Sequence, residues 1–169
     1  MESRQALHGF TLIEVLTVLA IIASIAAVIG YYSFVWIQTS RLKEAAQQVI
    51  VDLQRARSQA QLTSEDSRVA LCSPITTACN PTSASQTYVT SWGAGGTGAM
   101  SGLKTLPYGV TIQSTAGTAG SGYISYTAPY AETSATGLVW QLNSPSSRVA
   151  PLFVRVVGVT GKVSLSATN

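Results

Sequence analysis

Charge is the scarcest ingredient of this sequence. Only 10% of its 169 residues are Asp, Glu, Lys or Arg, against about 25% in an ordinary soluble domain. With 46% hydrophobic residues, a highly charged disordered tail is excluded. Histidine occurs once, at His8, cysteine occurs twice, and beyond Asp66 the sole acid is Glu132. A single distal carboxylate builds neither a paired-acid site nor a cage for a hard cation. The net charge of +3 is too small to name a partner by itself. The length suits one modest domain with an appendage rather than two separate cores.

What is present is concentrated in one place. From Val15 to Ile37 there is no charged side chain, and at about 1.5 Å per residue this run reaches the roughly 30 Å of a bilayer core. One membrane span is expected. The competing reading is a cleaved secretory signal, with Ala23 to Ala27 as its small-residue cut site. Against it, the run is too long, Glu2 offsets Arg4, and a carboxylate, Glu14, opens the apolar segment. A lone charge in hydrocarbon costs roughly 2.5 to 3.5 kcal/mol on insertion scales, so it is kept near the interface or where a partner neutralises it.

The residues around Glu14 carry a resemblance. Gly9-Phe10-Thr11-Leu12-Ile13-Glu14, followed by Val15-Leu16-Thr17-Val18-Leu19-Ala20-Ile21-Ile22, is similar to the class III signal of type IV pilins and pseudopilins. The resemblance implies that a prepilin peptidase cuts between Gly9 and Phe10 and methylates the new amino terminus at Phe10. It also implies assembly with other pilins or pseudopilins of one fibre on an inner-membrane platform. Glycine before the scissile bond offers a protease no side-chain bulk. Glu14 stands one helical turn from Phe10, within reach of a neighbouring subunit's amine in a staggered bundle. Such a pair would penalise wrong register, because either charge left alone is costly.

The periodicity continues past the span. Leu42, Ala45, Ala46, Val49, Leu53, Ala56 and Ala60 recur at three- and four-residue steps, with Arg41, Glu44, Gln48, Asp52, Arg55 and Gln59 interleaved. This predicts an amphipathic helix to about Thr63, with Gly30 the only breaker inside it. After Ser64-Glu65-Asp66 the pattern changes to short β-branched and aromatic runs: 68–72, 87–92, 109–113, 123–127, 138–142, 152–157 and 162–166. The spacers 93–102 and 114–122 read as flexible loops. The match of Gly93 to Gly98 to a dinucleotide fingerprint lacks a following helix and an acid about twenty positions on. The expected class is α+β, with a long helix packed on an antiparallel β-rich domain. Its parts are a cleaved leader (1–9), a transmembrane and assembly helix (10–37), its amphipathic extension (38–66) and a globular domain (67–169).

A narrower resemblance follows. Leu53-Gln54-Arg55-Ala56-Arg57-Ser58-Gln59-Ala60, the strand beginning at Arg68, and Val156-Val157-Gly158-Val159-Thr160-Gly161-Lys162-Val163 are similar to the GspH/FimT group of minor pilins and type II secretion pseudopilins. It implies a structural subunit, anchored by a single pass in the inner membrane with its C-terminal domain outside the cytoplasm, then carried in a periplasmic or extracellular fibre. His8 falls in the expected leader, so histidine acid–base catalysis, a Ser-His-Asp triad and imidazole metal sites are not expected in the mature chain. The chain is expected to be no enzyme and to hold no cofactor or metal. In an oxidising milieu beyond the membrane Cys72 and Cys79 are expected to form a disulfide, worth about 2 to 3 kcal/mol in the entropy model. The alternatives are a major pilin, a membrane-anchored binding module and a DNA-uptake pilin, for which Arg148, Arg155 and Lys162 are the candidate phosphate contacts.

Overall fold

The computed structural model describes residues 11–71, 84–93, 100–116, 122–133 and 137–167. Helix α1 runs unbroken over Leu12–Thr63. Thr11 starts it with a capping-box spacing: its hydroxyl accepts from the Glu14 N–H at 3.4 Å, and its carbonyl accepts from the same N–H at 3.1 Å. Gly30 does not interrupt it, and a methyl group there would meet nothing within 4 Å. At the other end the Thr63 hydroxyl donates back to the Gln59 carbonyl at 2.9 Å. Ser64, at φ +54°, then turns the chain out of the helix, in the left-handed conformation that commonly closes one.

The chain separates into two units, Met1–Ile37 and Gln38–Asn169, and α1 contributes to both. In the second unit nine strands among the described residues form two antiparallel sheets. The first, ordered β3-β2-β1-β5-β6, consists of β1 (Ser67–Ala70), β2 (Thr87–Trp92), β3 (Met100–Thr105), β5 (Tyr123–Thr127) and β6 (Glu132–Thr133). The second, ordered β4-β7-β8-β9, consists of β4 (Thr111–Ala116), β7 (Leu138–Asn143), β8 (Leu152–Val157) and β9 (Lys162–Ser166). The core lies where the helix meets both: Leu42, Ala45, Ala46, Val49, Leu53, Ala56 and Ala60 are buried against Tyr88, Ile124, Tyr126, Trp140 and Leu142. Alanine at four of those helix positions lets the strands approach closely.

Two spacers depart from the flexible-loop expectation. Residues 100–105 form β3, paired to β2 with Tyr88 opposite Lys104, and 114–116 extend β4 across a register shift between Ser114 and Ala116. Met-Ser-Gly-Leu-Lys-Thr shows neither alternation nor β-branched density, so its strand state comes from pairing with β2 rather than from propensity. Residues 94–99 of the glycine-rich spacer lie outside the described residues.

The two sheets are fastened at the β8–β9 turn. Val159 accepts a hydrogen bond from the β6 residue Thr133 at 2.9 Å. Gly161, at φ +62°, packs so closely on Tyr126 that a Cβ would stand 2.6 Å from a ring carbon. The Gly158-x-x-Gly161 spacing is therefore explained by a tight turn pressed onto an aromatic ring.

Candidate functional site

Among the described residues, the first unit is an apolar helix. From Leu12 to Phe34 every residue is exposed, and the helix contains an 18-residue window of mean hydropathy 2.7, none of it buried. Leu12 is 78% exposed and Ile21 60%. Exposure on this scale marks a surface meant for lipid or other protein. Two of its hydroxyls are satisfied internally, Thr17 donating to the Glu14 carbonyl at 2.9 Å and Ser24 to the Ile21 carbonyl at 2.7 Å, as suits an apolar medium. Tyr31, Tyr32, Phe34 and Trp36 are exposed at one end of the run, with the Tyr31 and Tyr32 rings edge to face at 5.7 Å. Such amphipathic rings suit a headgroup layer.

Glu14 lies in the first turn of α1, where a carboxylate also complements the helix dipole. It is exposed beside Val15, Val18 and Leu19. Gly9 and Phe10 lie outside the described residues, as do Cys72 and Cys79.

The second unit holds a buried acid. Asp52, one of the polar residues interleaved with the apolar stripe, is 5% exposed. Its Oδ1 accepts from Lys104 Nζ at 2.6 Å and its Oδ2 from the Tyr88 hydroxyl at 2.5 Å. Gln48 Nε2 donates to that same hydroxyl at 3.3 Å. Both carboxylate oxygens are thus held by strands β2 and β3, which offsets the cost of burying the charge. Burial, and then the Asp52 carboxylate accepting its proton, push the Tyr88 phenol up from its ordinary value, with Gln48 opposing weakly. Asp52 sits three residues after Val49 and four before Ala56, so its place on the inner stripe was visible in the spacing. Its partner Lys104, on a strand the sequence did not reveal, was not.

A second tie joins the helix to the β3–β4 connection. Tyr108, at φ +60°, lays its ring under the Arg41 guanidinium at 5.0 Å. Its hydroxyl bonds to Glu44, and that bond raises its pKa.

Of the three cations considered for DNA, the sheet register brings two onto one face. Arg155 on β8 pairs with Ser164, and Lys162 pairs with Val157. The two therefore share a face as diagonal neighbours. Arg148 lies in the β7–β8 connection, beyond the opposite end of β8.

Residues 5–30 match the family model of the prokaryotic N-terminal methylation motif. Together with the exposed apolar helix, that match supports a type IV pilin-like protein that is processed by prepilin peptidase and assembles with other pilins. No curated protein and no solved structure gives a significant match to the chain.

Proposed function

We propose that this chain is a non-enzymatic minor subunit of a type IV pilus or a type II secretion pseudopilus, of the GspH/FimT kind. In this reading prepilin peptidase cuts after Gly9, Phe10 becomes the methylated amino terminus, and Glu14 sets the helix register in the fibre. The observation that carries processing and assembly is the pairing of the methylation motif with a helix whose first half is exposed over its whole circumference, while the minor GspH/FimT assignment rests on the resemblance at 53–60 and 156–163. That half finds a bilayer before assembly and neighbouring helices afterwards. The domain beyond Gln38 closes its own core and rides on that anchor. A disulfide between Cys72 and Cys79 belongs to the same proposal, since the domain would mature outside the cytoplasm.

The test is fractionation. In cells that carry the chain and its peptidase, sheared fibres are separated from membranes and the chain is quantified against the most abundant pilin. A minor subunit appears in the fibre fraction at a small fraction of the abundant one, and only when the peptidase is active. Equal abundance would make it a major pilin. Absence from fibres despite correct processing would leave a membrane-anchored module.

A further inference from the structure

Among the described residues the two sheets have four edges, and three are guarded. β6 has only two residues, too short to template a partner. β4 is bridged on its outer side by Ser85 pairing with Ile112. β9 opens with the exposed Lys162, the kind of charge that discourages edge pairing. β3 differs. It is six residues long, contains no proline, and no described strand lies beyond it. Its one cation, Lys104, does not project past the edge as a guard, because its ammonium is folded back onto Asp52 at 2.6 Å. Leu103, next to it on the opposite face, is 62% exposed.

Backbone parity identifies the groups on offer. Leu106 donates to the Gln86 carbonyl at 2.7 Å, so Leu106 and Lys104 direct their amides to β2. The intervening Leu103 and Thr105 turn theirs outward. On the helix side of β1 and β2, reaching β3 at Lys104, lies an open groove of about 290 Å³ beside Asp52, lined by Arg55, Ala56 and Gln59 of the helix and by Ser67, Thr90 and Trp92 of the strands. Its charge is unbalanced. Asp52 has both oxygens engaged by Tyr88 and Lys104, while Arg55, with a side chain 71% exposed, approaches Asp52 only to 3.9 Å. That is beyond hydrogen-bond range. Two cations against one satisfied acid leave the groove net positive, with guanidinium donors available and a tryptophan wall beside them.

We propose that the outer edge of β3 and this groove take an extended acidic segment of a neighbouring polypeptide. Its backbone adds to Leu103 and Thr105 as a further strand, and a carboxylate on its helix-facing side reaches Arg55 and Lys104. Backbone pairing supplies affinity and the acidic position supplies specificity. The site lies wholly within the second unit and does not depend on the fibre reading.

The test uses full-length protein in detergent micelles and three blocked hexapeptides of alternating threonine and valine: one with a central glutamate, one with glutamine there, and one with the glutamate and N-methylated alternate amides. The glutamate peptide is expected to bind saturably and to slow hydrogen exchange at the Leu103 and Thr105 amides. The glutamine peptide is expected to bind about tenfold more weakly, and the N-methylated one not at all. Arg55→Gln, at an exposed helix position, should bring the glutamate peptide down to the glutamine level. Equal binding of glutamate and glutamine peptides, undiminished binding after N-methylation, or no binding by any of them would overturn the proposal. So would glutarate matching the glutamate peptide, which would reduce the groove to a site for small anions.

Discussion

The two halves of helix α1 share one backbone and differ in everything that surrounds them. Over 12–37 no residue is buried. Over 38–63 a stripe from Leu42 to Ala60 is buried under two sheets. Local propensity favours the second half, rich in Ala, Gln, Leu and Arg, over the first, where Ile, Val and aromatic residues dominate, yet both are helical. What differs is where the partner of each apolar surface is found. The second half is amphipathic because its partner is on the same chain and covers one side. The first half is apolar all round because its partner is supplied from outside, on every side. Mutations in the two halves should therefore register in different assays.

The largest expected effect is on assembly. Glu14→Leu should leave cleavage and the fold of the distal domain intact and eliminate incorporation into fibres; normal incorporation would remove Glu14 from the account. Next comes the buried cluster in the second half. Lys104→Met leaves the Asp52 charge buried with only Tyr88 and the distant Arg55, and should cost about 3 kcal/mol in denaturant unfolding of the domain. Leu19→Ala, in the first half, should leave that unfolding midpoint in place, and a comparable loss there would erase the contrast between the halves.

Gly161→Ala should destabilise the domain by about 2 kcal/mol or more, because an alanine at φ +62° also collides with the Tyr126 ring. The same substitution at Gly30, where space is open, should be mildly favourable to the helix. The smallest effect is with pH. Burial pushes the Tyr126 phenol up to about 12, against an opposing pull from Arg57, and Tyr88 is raised as well. A raised phenol contributes stability that is complete below the unfolded value of about 10 and is lost as pH climbs toward 12, where only the unfolded chain has ionised. Unfolding free energy should fall over that window, while phenolate absorbance shows the exposed tyrosines titrating first. Tyr126→Phe should flatten part of the fall.

Much of the fold was legible because helix periodicity is local. The stripe from Leu42 to Ala60 and the helix end at Thr63 follow from spacing alone, and β2, β5, β8 and β9 begin and end where β-branched and aromatic density does. What escaped was non-local. β3 is a strand because Tyr88 and Val89 of β2 stand opposite Lys104 and Leu103, and nothing within Met100–Thr105 announces that. The role of Asp52 depends on a lysine 52 positions away, so its burial was visible in the period but its neutralisation was not. For the candidate site the balance is reversed. The expected site at Gly9, Phe10 and Glu14 could be proposed from sequence because a peptidase signal is itself linear. The edge of β3 and its groove exist only once the strands have paired.

The most direct test of the central claim, that the exposed half of α1 is a processed assembly helix, is intact mass and amino-terminal sequencing of the mature protein. The account predicts a chain that begins at Phe10 and carries one N-methyl group. A chain that begins after Ala23 or Ala27 would contradict it, since the apolar helix would then be a discarded secretory signal.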